Sequence, residues 1–347
     1  MTHNKFYAVG LLLLIALSSC TSKDRSTQIV SDVQKIIFET DIGNDVDDAL
    51  ALDMLYKYID EGDIDLLSIM INKEGTYPPE YTDIMNTWYG YPEIPVGIIH
   101  NGADCENDAT NYAKCVSLMK KENGEPIFRR SLNNYSTLPE AHILYRELLA
   151  KQPDNSVTII SVGFSTNLAR LLDTPGDDFS PLTGKELVAK KVKLLCTMAG
   201  CFNNPDLYEY NIVKDIPAAK KVFAEWPTRV VTSPFEVGIA INYPGSSIEN
   251  DFGWAPAHPM VEGYKCYLEM PYDRPTWDLT SVLYSVEGSS YFNISPAGKI
   301  DVTDKGATTF TTDEKGDRYY LMVDSVQAEN IKQHFIELIS RQPANFK

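Results

Sequence analysis

Histidine is scarce in this 347-residue chain, with five in all, at positions 3, 100, 142, 258 and 334. Cysteine is nearly as rare at six, and neither a CxxC nor a Cys/His cluster stands at zinc-ligand spacing, so no zinc centre is expected. Positive charge is also short: 31 Lys and Arg face 48 Asp and Glu, for a net charge of −17. Such a surface repels phosphates, which argues against nucleic acid or an anionic lipid surface as a partner. After the first 20 residues no apolar run approaches the ~20 residues that span a bilayer. Internal repeats and low-complexity tracts are absent. What remains is a chain that is 44% hydrophobic, long enough beyond its leader for one large α/β core.

Residues 1–20 read as a targeting segment. Lys5 gives a positive start, Tyr7 to Leu17 an apolar stretch of 11, and L-S-S-C ends at Cys20. Small residues before a Cys resemble the bacterial lipobox, so Cys20 is expected to become the lipidated N-terminus after cleavage. An ordinary cleaved secretion signal or an uncleaved anchor is the alternative. Residues 21–33 read as a tether, and 34–347 as the folded domain. The expected location is the bacterial cell envelope, with the membrane reached through the lipid alone. Five cysteines then remain, Cys105, Cys115, Cys196, Cys201 and Cys266, and an odd number leaves one free thiol in an oxidising compartment. The expected bridge is Cys105–Cys115, with the rest as buried filler.

The richest stretch is Lys35 to Leu50, K-I-I-F-E-T-D-I-G-N-D-V-D-D-A-L. Ile36 to Phe38 reads as a buried strand, and the apolar spacing after Asp48 predicts a helix. Between them lie Asp41, Asp45, Asp47 and Asp48, with Gly43 free to take a positive φ. One Asp would suffice to cap the helix. Like charges about 4 Å apart repel by roughly 1 kcal/mol in water and about 4 kcal/mol at a partly buried site. A cation removes that cost, and carboxylates without Cys or His favour Ca²⁺ or Mg²⁺. An EF-hand does not fit, because Tyr56 falls where its bidentate Glu belongs. A phosphate-cradling loop is excluded by the missing G-K-[ST].

Further strands are predicted at Asp65–Asn72, Ile94–Ile99, Val157–Val162 and Lys193–Met198, with a helix near Pro139–Ala150 and a long polar excursion over 104–130. The fold class expected is α/β, a mostly parallel central sheet with helices on both faces, its ligands beyond the carboxyl ends of the strands. The tail predicts hairpin strands over 299–323. A helix follows over 324–340, with Val326, Ile331, Phe335 and Leu338 on one face, covering the sheet edge or a subunit contact.

The acidic stretch resembles the opening D-x-D-P-G-x-D-D motif of the inosine-uridine nucleoside hydrolase family, with Ile42 in place of its proline and a loop about two residues longer. Four later segments resemble that family in the right order: G-F-S-T-N-L-A (Gly163–Ala169), T-M-A-G (Thr197–Gly200), the N-x-x-x-x-x-E-Y-N run of Asn203, Glu209 and Asn211, and T-W-D-L-T with Asp278. The resemblance covers about Lys35 to Val282. It implies a Rossmann-like domain in which Asp41, Asp48, Asp278 and the Thr166 carbonyl hold Ca²⁺. Asp47, Asn72, Asn203, Glu209 and Asn211 would hold the sugar, with Met198 beside it; in the altered loop Asp45 is the alternative to Asp47.

The implied reaction is calcium-dependent hydrolysis of a ribosyl N-glycosidic bond, giving base and ribose, with Asp41 as the base that activates water. Dense carboxylates suit the positive charge that develops on the sugar. Many members of the family place a His before the last calcium-ligating Asp to protonate the leaving base; here that residue is Trp277, an indole that stacks on a purine but donates no useful proton. A non-catalytic nucleoside- or sugar-binding envelope lipoprotein is the rival reading. A small-molecule riboside and a second copy of the chain, as a homo-oligomer, are the partners expected.

Overall fold

The computed structural model describes Met1 and residues 33–103 and 109–346. Expectations for Cys20, the leader and the tether fall on residues 2–32 and lie outside the described residues. Six strands run parallel from one edge of the sheet inward: β1 (Gln34–Thr40), β2 (Ile64–Ile71), β3 (Val96–Gly97), β4 (Val157–Ser161), β5 (Val192–Met198) and β6 (Val230–Ser233), with β3 at the edge. A separate antiparallel pair joins β7 (Asn242–Tyr243) to β8 (Arg274–Pro275). Later come β9 (Asn293–Ile294), β10 (Gly298–Val302), β11 (Thr308–Thr312) and β12 (Arg318–Met322). The sheet order is β11-β10-β12-β6-β5-β4-β1-β2-β3, with β9 on β12. Strand β12 pairs with β6 in parallel, so the expected hairpin is really β10–β11 with a third strand folded back into the main sheet.

Strand β1 shows why both faces need helices. Successive side chains of a strand point to opposite faces; Ile36 and Phe38 enter one apolar core and Ile37 the other. A strand buried on both faces is largely apolar, as is β4, every residue of which is buried although Thr158 and Ser161 are polar. The helix after β1 runs Asp47–Glu61 and stops at Gly62, whose φ of 81° makes a left-handed cap. The third predicted strand is much shorter than expected. Only Val96–Gly97 pairs with β2, and the chain then leaves the edge through a single bridge from Ile98 to Glu140.

Two expectations are corrected. Cys115 bonds Cys266 across 151 residues, not Cys105, which lies outside the described residues. The helix Tyr112–Ser117 packs on the helix Pro259–Tyr267, and that contact brings the two sulfurs together. Cys196 and Cys201 are free and buried. The helix Ser325–Ile339 buries Ile331, Phe335 and Leu338, but Val326, in its first turn, faces outward and is 67% exposed. That helix packs against Asp47–Glu61 and against β7. Beyond it, Lys57 donates to the Arg341 carbonyl, and Phe346 lies between Trp88 and Trp254, with centroids 5.0 and 5.1 Å away. Among the described residues no helix is long and apolar enough to cross a membrane.

Candidate active site

The turn leaving β1 is tied down atom by atom. The Thr40 hydroxyl accepts from the Ile42 N–H at 3.1 Å and donates to Asp48. Gly43, at φ 137°, donates its N–H to the Tyr112 hydroxyl at 3.1 Å. Asp45 borders the cavity alongside the other acids and is clasped by Arg274, whose Nε donates at 2.9 Å. Asp47 and Asp48 open the next helix, where the exposed N–H groups and the helix dipole favour negative charge. The Asp47 carboxylate also accepts the Asp278 N–H at 3.2 Å, joining the first turn of one helix to that of Trp277–Glu287.

These bonds bring Asp47, Asp48 and Asp278 together, each buried, with one oxygen apiece inside a mutual 4.8 Å. Asp41 borders the same cavity, of about 450 Å³. Gly163, in the turn after β4, lets that turn lie against it: a Cβ there would come within 2.6 Å of Asp41 Oδ1 and 2.5 Å of Asn72 Oδ1. Burial pushes the Asp41 carboxyl up to about 7, against the pull of the Lys73 ammonium and with added repulsion from Asp45. Burial first, then mutual repulsion, holds Asp47, Asp48 and Asp278 well above the usual carboxylate range. So many buried acids ionise together only with a cation among them. An all-oxygen donor set of this kind fits a hard divalent ion.

The opposite side of the cavity comes from β5 and the segment after it. Glu209 caps the short helix Tyr210–Lys214, accepting N–H bonds from Asn211 (2.7 Å), Ile212 (3.2 Å) and Gly200 (3.1 Å). Burial nevertheless raises its carboxyl to about 7, those backbone donors opposing. The Asn211 amide donates to the carbonyls of Val162 at 3.1 Å and Met198 at 3.2 Å. Val162, Met198, Glu209 and Asn211 thus form one wall. An aromatic wall stands beside it, made by Phe235, Tyr267 and Trp277. Trp277 donates its indole N–H to the Phe235 carbonyl at 3.1 Å.

Of the residues expected at the site, Asp41, Asp47, Asp48, Met198, Glu209, Asn211, Trp277 and Asp278 line this cavity. Three do not. Asn72 is buried behind Asp41, donating to Glu39 Oε1 at 3.1 Å while its own Oδ1 has no hydrogen-bond partner. Thr166 begins the helix Thr166–Asp173 and gives its hydroxyl proton to Asp215 at 2.6 Å; the residue of that turn on the cavity wall is Val162. Asn203 is exposed and accepts from the Cys201 thiol at 3.4 Å. Sequence reasoning missed Lys73, a buried cation on the wall. Its position next to Asn72, at the end of β2, was the available signal. Tyr267 and Phe235 carried none, because only tertiary packing brings them here.

A model of the inosine-uridine preferring nucleoside hydrolase family matches residues 36–333. Among solved structures, a plant nucleoside hydrolase is 18% identical, with 89% of this chain and 99% of that one covered and a TM-score of 0.64. The inosine-uridine preferring nucleoside hydrolase from Bacillus anthracis is 17% identical over 88% of this chain and 100% of its own, TM-score 0.64. A purine-preferring ribonucleoside hydrolase from Gardnerella vaginalis is 16% identical over 88% and 98%, TM-score 0.64. A sequence search of curated proteins finds no match. The structural likenesses establish a shared fold. The family match spans most of the chain, which therefore belongs to the inosine-uridine preferring nucleoside hydrolases, enzymes that cleave N-glycosidic bonds.

Proposed function

We propose that this chain hydrolyses the N-glycosidic bond of a purine ribonucleoside or related riboside, with Ca²⁺ as its cofactor, releasing the free base and ribose. The observation that carries the reading is the convergence of Asp41, Asp47, Asp48 and Asp278 with Glu209 and Asn211 on one cavity that also has an aromatic wall. Asp47, Asp48 and Asp278, with Asp41 beside them, would hold the ion. When bound, calcium offsets the crowded charge and offers open coordination positions that orient sugar hydroxyls.

The chain's own residues supply the rest. Glu209 and Asn211 present a carboxylate and an amide to the sugar. The Asp41 carboxylate takes a proton from water as its oxygen attacks the anomeric carbon. The C–N bond breaks with its electron pair leaving on the base, which takes a proton from solvent while Asp41 returns its own to solvent, and the surrounding carboxylates stabilise the positive charge on the ring. Trp277 and its aromatic neighbours stack on the departing base. No histidine lines the cavity among the described residues, so the base must be stabilised without an imidazolium donor. That same feature favours a second reading, a nucleoside-binding protein without turnover. The Cys115–Cys266 bridge supports an oxidising compartment, consistent with export and a lipid-anchored envelope location through Cys20.

The test is base release from a nucleoside panel by the purified domain, with and without chelator. Purine release that chelator abolishes is expected, together with at least a 10³-fold loss in Asp41→Asn that leaves the fold intact. Tight binding without release from any riboside would establish the second reading instead.

A further inference from the structure

The cavity's aromatic wall is built around a residue that does not itself border the cavity. Arg274, in β8, places its guanidinium carbon 5.0 Å from the ring centroid of Tyr267 and 5.0 Å from that of Trp277. Tyr267 ends one helix and Trp277 begins another; Arg274 packs on both rings. Its backbone is held by pairing with Tyr243 in the β7–β8 ladder. Its outer edge is held by Asp45, which accepts from both Nε (2.9 Å) and a terminal nitrogen. Asp45 belongs to the loop that is longer than the family pattern.

From this arrangement we infer that Arg274 is a positioning residue, pinned by Asp45, which fixes Tyr267 and Trp277 as the aromatic face that receives a flat leaving group. The inference rests on the hydrolase reading for the identity of the ligand and adds the device that sets its specificity. The planar guanidinium is what makes the device work. It stacks on rings with its faces while its edge makes the forked bond to a carboxylate, and a lysine ammonium cannot do both. Were Arg274 only a counter-charge for the acidic turn, lysine would serve as well.

The experiment measures, by calorimetry in calcium buffer, binding of a C-linked purine riboside, whose glycosidic bond resists hydrolysis, and of 1-O-methyl riboside. Release of hypoxanthine from inosine is followed in parallel. Arg274→Gln is expected to weaken the purine ligand at least 10-fold while changing methyl riboside less than twofold. Arg274→Lys should fail in the same way. In a Trp277→Ala background, Arg274→Gln should add less than a threefold further loss. Full rescue by lysine, equal losses on both ligands, or effects that multiply in the double variant would overturn the inference. If Arg274→Gln does not fold, Asp45→Asn carries the same expectation of a selective loss, and an unchanged preference there overturns it. Selective purine binding by the native protein without hypoxanthine release would sink the hydrolase reading and leave the clamp standing. Release without preference for the purine ligand would do the reverse.

Discussion

Asp53 is a buried acid with no part in the cavity, and it shows at single-residue scale what burial does to a carboxyl. It sits fully buried in the helix Asp47–Glu61, accepting from the Tyr89 hydroxyl, with His258 Nε2 3.7 Å away. Burial raises it from 3.8 to about 6, with the Lys57 ammonium pulling the other way. The folded chain therefore holds this proton more tightly than the unfolded chain does. Its contribution to stability is complete below pH 4 and is lost as pH rises through 6. About two pH units at roughly 1.4 kcal/mol each give up to about 3 kcal/mol. Asp53→Asn should flatten the pH dependence of urea midpoints between pH 4 and 6 and leave the protein more stable than the native chain at pH 7. At this scale the sequence was legible where chemistry is local. Aspartates crowded into one turn announce themselves, and so does Asp278 behind its Trp. It was illegible where a residue's neighbours come from far along the chain. Asn203 sits in a recognisable motif, yet its side chain is bonded to Cys201.

Among elements, the bridge between the helices Tyr112–Ser117 and Pro259–Tyr267 has the widest reach. It closes 151 residues of chain, a loop long enough for the cross-link to contribute about 3–5 kcal/mol. One of its helices supplies the Tyr112 hydroxyl that holds Gly43, and the other ends in Tyr267 on the cavity wall. Cys266→Ser should lower Tm by about 10 °C, and reductant should do the same to the native protein while leaving Cys266→Ser unmoved. The pairing could not be read in advance, because distance along the chain says nothing about which helices pack. Strands were easier. Largely apolar runs marked β1, β2, β4 and β5, whereas β3 kept only Val96–Gly97, because a strand at the sheet's edge has one neighbour to hold it.

For the molecule as a whole, a net charge of −17 and a knot of buried acids both work against the compact state at neutral pH. A bound divalent ion relieves the second. Adding calcium to chelator-stripped protein at 100 times its Kd should stabilise it by about 2.7 kcal/mol, raising Tm by about 5–10 °C in a melting experiment. Protons compete for the same oxygens, and with Asp41 at about 7 the gain should be larger at pH 8 than at pH 6. No change at either pH would mean that the acids hold no calcium. The order of motifs from Lys35 to Val282 made the architecture readable at this scale, since each turn follows a strand and all converge on one side of the sheet. Which flat group leaves the cavity was not readable, because Trp277 stands in a motif but Phe235 and Tyr267 join it only through packing.

Phe346 has a practical consequence for anyone shortening this chain. A version trimmed after Ser340 to help crystals grow would withdraw the stopper from between two indoles and strip Lys57 of its carbonyl acceptor. It would leave a greasy notch open to water next to a stranded ammonium. The last few residues look like dispensable tail, but they are the plug that seals the helix carrying Asp47 and Asp48.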